Sequence, residues 1–400
     1  METLEAAYVD KFRCDGGSCE AKCCRDHWAI EIDDKTFSKY THIKPASKAK
    51  EITRHIKKYK NTHRIVQTEE GNCPLLGEDM LCQIQKNYGE SFLSKTCRTY
   101  PRMFYRVGED FYLRSLNLSC PVACHLALNY ERPVKFHSLN LPSNAEINYI
   151  DLRDKKKCYM MPLLQITGAN ILQAEHLTID ERLATLALFA ESANEAKNEK
   201  ELAAISETFE KEVLPNAKSI FAPLKFNSEN FLKEMFEIID YIFSDTGKNE
   251  TASIYFKFVN DLFELLPVGD ENRKLDFAAM NVLYNEKFCK SKKEFMEKYK
   301  LQIENYLLHH FLTSGLPVHF INPNLQGGIL RYIFEYKVTE FTLICFNYEL
   351  GEKFHEIGIE LAAADFSILW EHNRRVKLAL DEKLKDTREV MPTVQLLLQM

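Results

Sequence analysis

Apolar residues recur every three to four positions through most of the chain after residue 146, a spacing that predicts amphipathic helices. Asp180 is a candidate N-cap for a helix that carries Leu183, Leu186, Ala187 and Ala190 along one stripe. An Ala, Glu and Lys-rich run continues this pattern to about residue 213. Further stretches with the same period cover residues 228–242, 251–266, 275–285, 291–314, 325–350 and 354–385. The second part of the chain is therefore predicted to be all-helical.

The first part of the chain lacks a sustained helical period and predicts short elements instead. Residues 28–32 alternate between polar and apolar positions, as a short strand does. Apolar flanks around Gly-Glu-Asp predict one hairpin at residues 73–82 and another at residues 103–114. Residues 45–59 have a helical pattern with a basic face, which favours a solvated surface over a binding patch. Residues 131–145 are predicted to be a linker.

These patterns predict a mainly α protein of two domains. Its 400 residues are enough for more than one hydrophobic core. Residues 1–145 are expected to form an irregular, cysteine-rich, metal-binding domain with small hairpins. Residues 146–400 are expected to form a larger helical domain that binds the substrate or a partner.

Cysteine is concentrated in the first third of the chain, and this clustering predicts a metal site. Nine of the twelve cysteines lie between positions 14 and 124. Their positions are Cys14, Cys19, Cys23, Cys24, Cys73, Cys82, Cys97, Cys120 and Cys124. Thiolates are soft ligands that favour zinc, copper(I) or iron–sulfur clusters. Cys158, Cys289 and Cys345 stand apart in apolar surroundings and are interpreted as buried thiols.

Disulfides and inert thiols are the alternatives to a metal site. Disulfides are typical of secreted proteins, whereas the first ten residues carry acids where a secretory signal has a basic end and an apolar run. A zinc ribbon repeats a Cys-x2-Cys pair, and no such pair occurs here. Neighbouring side chains diverge, so Cys23 and Cys24 suit a larger cluster or two separate sites better than one tetrahedral zinc.

Charge and missing motifs exclude several classes of function. Nucleic-acid binding usually needs a dense basic patch, whereas this chain has a mildly acidic net charge of −6 at pH 7. Nucleic-acid binding is therefore not predicted. No run of about 18 apolar residues occurs, so no membrane span is predicted, and a cytoplasmic protein is expected. The glycine-rich nucleotide loops and the Gly-x-Ser-x-Gly elbow are absent. His309 and His310 are too close in sequence to share a metal from one helix face and are interpreted as helix surface or core.

The cysteine-bearing motifs resemble those of the flagellin lysine N-methylases of enteric bacteria. The resemblance is carried by Cys14-x4-Cys19, Cys23-Cys24, Trp28, Cys73-Pro74-Leu75, Cys82, Cys97-Arg98-Thr99-Tyr100-Pro101-Arg102, and Ser115-Leu116-Asn117-Leu118-Ser119-Cys120-Pro121. It extends to the chain length and to Leu330-Arg331-Tyr332 and Thr339-Glu340-Phe341-Thr342 in the helical part. The cysteine domain of that family is related to families of zinc- or iron-chelating domains.

The resemblance implies methyl transfer from S-adenosylmethionine to the side-chain amines of surface lysines on flagellin, dependent on a 4Fe–4S cluster. The predicted ligand pool is Cys14, Cys19, Cys23, Cys24, Cys73, Cys82, Cys97 and Cys120. Four cysteines complete such a cluster, so the others bind a second metal or stay as thiols. Arg98 and Arg102 are candidates to balance the cluster's charge or to grip the donor's carboxylate, with a structural salt bridge as the alternative. The sequence does not select a catalytic base.

Two other functions are compatible with the same residues. One is a non-catalytic adaptor that binds zinc or an iron–sulfur cluster and uses its helical half to bind a partner. The other is an iron–sulfur redox protein. Radical chemistry is less favoured, because radical enzymes use Cys-x3-Cys-x2-Cys and the third position here is Asp26.

Overall fold

The fold is given by a computed structural model. It describes residues 2–107 apart from 17, 20, 26 and 27, then 111–131, 136–140, 150–151, 160–223, 276–313, 325–372 and 374–384, with residues 229, 231–233 and 235–237. The described chain is mostly helical, with two small sheets in its first part. The prediction of a mainly α protein with small hairpins before the helices is therefore confirmed. The metal-binding character of the first part stays a prediction.

The larger sheet has five strands and contains the first residues of the chain. Its strands are β1 (Glu2–Ala6), β5 (Arg102–Val107), β6 (Phe111–Leu116), β7 (Phe136–Asn140) and β8 (Ile150–Asp151). Their order in the sheet is β7-β1-β6-β5-β8. β1 runs parallel to β6 and antiparallel to β7, while β5 and β6 form the antiparallel pair predicted as a hairpin at residues 103–114. That prediction is confirmed for the strands.

The predicted linker contributes a strand to this sheet. Residues 136–140 pair with β1 along its full length, from Glu2 opposite Asn140 to Ala6 opposite Phe136. The linker prediction is therefore wrong for these five residues, because β1 offers them an edge to pair with. Residues 141–149 lie outside the described residues, and the domain boundary near residue 145 stays a prediction.

A smaller sheet and four short helices form a separate hydrophobic core. The sheet is antiparallel, in the order β2 (Glu31–Ile32), β4 (Thr62–Ile65), β3 (Ile56–Tyr59). The helices are α1 (Asp34–Thr41), α2 (Ala46–Thr53), α3 (Gln83–Tyr88) and α4 (Lys95–Thr99). Ile30, Ile32, Tyr40, Ile52 and Ile84 pack together between them. This core supports the loops that carry most of the cysteines.

The predicted helix at residues 45–59 is shorter than its pattern suggests. It ends at Thr53, and residues 56–59 instead form β3, which pairs with β4 through a turn in which Lys60 has a positive φ of 51°. The predicted strand at residues 28–32 is confirmed only for Glu31–Ile32. The turn predicted at residues 73–82 is confirmed by an isolated bridge between Leu76 and Cys82.

Helices make up the described chain after residue 160. One further helix, α5 (Pro121–Leu128), lies before this part. The helices after residue 160 are α6 (Met161–Leu172), α7 (Ile179–Asn194), α8 (Glu199–Thr208), α9 (Leu214–Phe221), α10 (Phe277–Leu283), α11 (Cys289–Lys298), α12 (Lys300–Thr313), α13 (Leu325–Leu350), α14 (Glu352–Ser367) and α15 (Arg374–Leu384). One hydrophobic cluster joins them to β6 and α5. Cys24, Cys73, Cys82 and Cys97 belong to the separate smaller core, whereas Cys120 and Cys124 belong to the core of the helices.

Helix α13 is the centre of this core. Its residues 327–345 are all buried, including the charged residues Arg331, Glu335, Lys337 and Glu340. Buried charges require partners. Arg331 and His310 contact Glu335, whereas Lys337 contacts both Asp180 and Glu340.

Several helix ends differ from their predicted positions. The N-cap of α7 is Thr178, whose side chain accepts a hydrogen bond from the Glu181 amide while the Glu181 side chain accepts one from Thr178. The Asp180 cap prediction is therefore wrong, and Asp180 instead binds Lys337, with 2.6 Å between Oδ1 and Nζ. The run to residue 213 is interrupted before Asn198, which caps α8. The predicted stretch 251–266 lies outside the described residues, and so do residues 238–242.

The stretch 325–350 is confirmed as one helix, and residues 277–283 confirm part of the stretch 275–285. The stretch 291–314 is divided at Tyr299, and 354–385 is divided by a π-helical turn at Ile368–His372. His309 and His310 are both buried, so of the two predicted positions, helix surface or core, the core is confirmed. None of the described helices is long and apolar enough to cross a membrane.

Candidate functional site

The fold gathers the eight predicted ligand cysteines from five segments of the chain. Cys73 donates its backbone N–H to the Cys24 carbonyl over 2.7 Å, which joins two segments nearly fifty positions apart. The Cys23 and Cys24 sulfurs lie 4.0 Å apart, and the Cys24 thiol also hydrogen-bonds to Cys73. Cys23, Cys24 and Cys73 therefore contact one another in series.

The other five cysteines surround this group. Cys82 lies at the bridge with Leu76, and Cys97 lies in α4, whose N-cap is Ser94. Cys120 is the N-cap residue of α5. Cys97 lies close enough to Cys82, Cys73 and Cys23 that thiolates at those positions would raise its pKa, and Cys120 is likewise near Cys19 and Cys23. Cys14 acts on Cys19 in the same way, so all eight belong to one neighbourhood.

The local environment separates the acidities of these thiols. Cys23 is exposed, and its hydrogen bond with Cys24 lowers its pKa to about 7. The same contact raises the pKa of Cys24. Burial raises the pKa of Cys97 to about 12 and that of Cys120 to about 11. Cys23 is therefore expected to ionise more readily than Cys97 or Cys120.

The donor set fits a soft metal in chemistry and number. Every described cysteine is a free thiol. Among the residues that the structure describes, no three His, Cys, Asp or Glu side chains are arranged to hold a single metal ion. Ligands of a cluster bind separate iron atoms and need not meet at one point. The set is thus compatible with a cluster, whereas a preformed single-ion site is not seen in the described residues.

Cys124 and the two isolated cysteines that the structure describes are placed apart from this set. The buried Cys124 thiol donates to the Glu360 carbonyl oxygen over 3.2 Å, which directs it toward helix α14. Cys345 is buried in α13, and Cys289 is half-buried in α11. Their interpretation as buried thiols is confirmed for Cys345 and only partly for Cys289. Cys158 lies outside the described residues.

The two arginines of the Cys97 motif lie beside the cysteines. Arg98 is half-buried on α4. The Arg102 guanidinium lies over the Phe12 ring, 5.1 Å from its centroid, in a cation–π contact. Their predicted roles toward a donor or a cluster stay predictions.

The cysteine loops contact the C-terminal end of the helical part at a polar junction. The Lys22 ammonium, next to Cys23, lies 3.0 Å from the Asp365 carboxylate of α14. The Trp28 ring meets the His372 ring edge to face, with 4.6 Å between their centroids. Ser119 Oγ lies 2.9 Å from Tyr100 Oη and 3.1 Å from His372 Nε2.

Trp28, Tyr100 and Ser119 belong to the motifs noted in the sequence, but His372 and Asp365 do not. Both lie about 250 positions or more from the residues that they contact. No local pattern marks them, because His372 follows an ordinary apolar run in the sequence. The π-helical turn that places His372 is of a kind often found at functional sites, and only the structure reveals it.

A second polar group lies inside the helical part, around Glu340. Burial opposes its ionisation, but Lys292 and Lys337 lower the pKa of Glu340 to about 2. A cavity of about 10 Å³, bordered by Glu340, Tyr306, Tyr336 and Gln302, adjoins this group. It has room for about one water molecule. We interpret this group as structural, because both lysines neutralise its carboxylate.

Comparison with known proteins identifies the helical part. The family model described as the FliB lysine N-methylase C-terminal domain matches residues 166–398. The lysine-N-methylases of Salmonella typhimurium LT2 and Salmonella choleraesuis SC-B67 are each 35% identical over 134 residues, which are 32% of this chain and 33% of the relative. The flagellar biosynthetic protein FliU of Salmonella muenchen is 35% identical over 135 residues, which are 32% of this chain and 78% of that protein.

The aligned segment thus spans about a third of the length of each curated lysine-N-methylase. No solved structure matches this chain. The family model begins after the cysteine-bearing segment, so it does not bear on the cysteines themselves. It covers more than half of the chain, and the FliU relative is matched over most of its own length. The chain therefore belongs to the flagellin lysine N-methylase family, as its motifs predicted.

Proposed function

We propose that the protein transfers a methyl group from S-adenosylmethionine to the side-chain amines of surface lysines on flagellin, in the cytoplasm, and that it depends on a 4Fe–4S cluster. The lysine-N-methylases and the flagellar biosynthetic protein among its relatives support the reaction class and the substrate. The observation that carries the cluster is the convergence of eight free cysteines where they meet the family's helical part.

Four of the eight cysteines would hold the cluster. Cys23, Cys24 and Cys73 already contact one another, whereas Cys14 is exposed at the edge of the group. We therefore expect these three, rather than Cys14, to be cluster ligands. If only three cysteines held the cluster, the fourth iron would be free of cysteine and could bind the amino and carboxylate groups of the methyl donor; with four cysteines the cluster would be structural. Arg98 and Arg102 lie close enough in the chain to the Cys97 ligand to balance charge or to bind that carboxylate.

The residues of the chain must also prepare the lysine. A lysine ammonium has a reference pKa near 10.4, so removing its proton at neutral pH costs about 4 kcal/mol. Partial burial and a hydrogen-bond acceptor near the amine reduce that cost. The aromatic faces of Trp28 and Tyr100, half-buried beside the cysteines, favour a sulfonium or an ammonium group.

Anaerobic purification with assays for iron, sulfide and methylated lysine tests this proposal. We expect a brown protein that contains iron and sulfide and that methylates flagellin when given S-adenosylmethionine. Cys23→Ser and Cys97→Ser should lose colour and activity together. Cys289→Ser is the matched control, because this thiol lies on α11 among the helices, and it should retain both.

The other outcomes point to the other two functions. A colourless protein that retains only zinc and methylates nothing would contradict the proposal and favour an adaptor. Electron transfer to a dye without any methyl donor, in a protein that methylates nothing, would favour a redox protein. Equal loss in all three cysteine variants would contradict the division between ligands and buried thiols.

A further inference from the structure

His372 occupies an unusual position at the junction between the cysteine loops and the helices. It is the last residue of the π-helical turn Ile368–His372, and its side chain is exposed. It contacts Trp28 and Ser119, which lie four residues after Cys24 and one residue before Cys120. His372 is thus an exposed residue at the junction between the cysteine loops and the helices.

The hydrogen bonds around Ser119 determine which imidazole nitrogen carries the proton. The Ser119 backbone N–H donates to Asn117 Oδ1 over 2.9 Å, so the amide oxygen of Asn117 faces Ser119. Ser119 Oγ donates its one proton to the same oxygen. Ser119 Oγ must then accept from Tyr100 Oη and from His372 Nε2. Nε2 is therefore the protonated nitrogen, and the lone pair is on Nδ1.

The surroundings keep the imidazole unprotonated and also make it a weaker base, so the pKa of the bound substrate ammonium must fall as well. Desolvation by the protein around the ring, followed by the positive charge of Lys377, lowers the pKa of His372 to about 4, although part of the side chain is exposed. The imidazole is therefore neutral at pH 7. A substrate ammonium in the same place would meet the same desolvation and the same charge, so its pKa would fall in the same direction.

Three other bases in the described helical part are buried away from solvent. Glu335 contacts Arg331 and His310, and Glu340 contacts Lys292 and Lys337. His309 is fully buried, with Nδ1 2.8 Å from Tyr8 Oη. His309 Nε2 also lacks a hydrogen-bond partner, but it is enclosed, whereas the His372 side chain reaches solvent and its Nδ1 has no hydrogen-bond partner among the described residues.

We propose that His372 is the general base of lysine methylation, accepting the ammonium proton of the substrate on Nδ1. This inference rests on the proposed function. The freed nitrogen lone pair forms the new N–C bond to the methyl carbon, and the S–C bond of the sulfonium donor breaks with its electrons moving to sulfur. The imidazolium then releases its proton to water from its exposed edge, while Ser119 holds Nε2 in place.

The variant His372→Gln separates proton acceptance from positioning. A glutamine amide can still donate a hydrogen bond to Ser119 Oγ, but it cannot accept a proton at neutral pH. We expect kcat for methylation of a flagellin lysine to fall about 10²–10⁴-fold, with KM within about 3-fold and with iron content unchanged. His372→Ala should lose kcat similarly and should regain part of it when imidazole is added.

The control is His42→Gln, which changes an exposed histidine at the end of α1. It should retain wild-type kcat. A His372→Gln enzyme with kcat within about 3-fold of wild type would overturn the base assignment while leaving the proposed function intact. A wild-type protein that methylates no lysine would instead overturn the proposed function, and the base assignment with it.

A measurement without turnover tests the tautomer directly. In protein labelled with ¹⁵N-histidine, the resonances that disappear in His372→Gln should show a protonated Nε2 and an unprotonated Nδ1. Ser119→Ala removes the acceptor, so the preference for the Nε2–H form should weaken in that variant. A protonated Nδ1 in the wild type would contradict the proposal whatever the activity.

Discussion

The Lys22 ammonium lies 3.0 Å from the Asp365 carboxylate, although 343 positions separate the two residues. One partner precedes Cys23 and the other lies near the end of helix α14, so this ion pair joins the cysteine loops to the helical part. Trp28 and His372 continue the same junction. The cysteine segment and the family's helical domain thus meet where the candidate base is placed.

This ion pair should contribute little to stability. Its side chains are 23% and 43% exposed, and exposed pairs contribute about 0.2–1 kcal/mol. We expect a double-mutant cycle of Lys22→Ala and Asp365→Ala, followed by urea unfolding, to give a coupling in that range that declines with salt. A coupling several times larger would mean that the pair is more desolvated than its exposure indicates.

The thiols should react selectively in the metal-free, reduced protein. Cys23 is exposed and its pKa is about 7, whereas the pKa values of Cys97 and Cys120 are about 12 and 11. Iodoacetamide at pH 7 should therefore modify Cys23 well before the other two, as peptide mass spectrometry would show. Protein reconstituted with iron and sulfide should be protected at Cys23 if that thiol is a ligand. Equal rates at the three sites would contradict this ordering.

Helix α6 packs closely against helix α12 at Gly168. A methyl group added there would lie 2.3 Å from Cζ of the buried Phe311 ring. We expect Gly168→Ala to lower the free energy of unfolding by about 1–3 kcal/mol through overpacking. Adding Phe311→Leu should recover part of that loss, because it shortens the side chain in contact. A Gly168→Ala protein as stable as wild type would show that α6 and α12 can separate at no cost.

Acid should weaken the helical core through Glu335. Burial opposes its ionisation, but Arg331 and then His310 lower the pKa of Glu335 from 4.5 to about 2. A lowered pKa stabilises the folded protein above the unfolded value. That stabilisation is lost as the pH falls from about 4.5 toward about 2. Urea unfolding in this pH range should therefore show falling stability.

The matched variant for this prediction is Glu335→Gln. It should be about 3–5 kcal/mol less stable at pH 7, because Arg331 is left buried without its carboxylate. Its stability should also depend less on pH between about 4.5 and 2. An unchanged slope in this variant would assign the acid sensitivity to other carboxylates.

Long periodic stretches were predictable from the sequence, whereas irregular junctions were not. Residues 325–350 form the helix that their spacing indicates, and the burial of residues 327–345 agrees with their apolar content. The Asp180 cap was misassigned because Thr178, two residues earlier, makes a capping box that starts the helix sooner. The strand at residues 136–140 forms because β1, at the far end of the segment, pairs with it.

The candidate site was predictable only in part, for a similar reason. Clustering in the sequence identifies Cys23, Cys73 and Cys97, which the fold brings into one neighbourhood. His372 lies beside this group because it contacts Ser119, which is about 250 positions away in the chain. The spacing of residues in the sequence does not predict a contact over such a separation. Its tautomer depends on Asn117 and Ser119, which in the sequence are simply the residues before Cys120.

The place of β1 inside the larger sheet affects the order in which the protein can form. Glu2–Ala6 pairs on one side with Phe111–Leu116 and on the other with Phe136–Asn140. During synthesis Glu2–Ala6 must therefore wait for more than a hundred later residues before either neighbouring strand exists. Contacts this distant slow folding, since closing such a loop costs entropy before any pairing compensates. The cysteine loops lie between these strands in the chain, so the sheet that borders them is complete only after β1 has paired with β6 and β7.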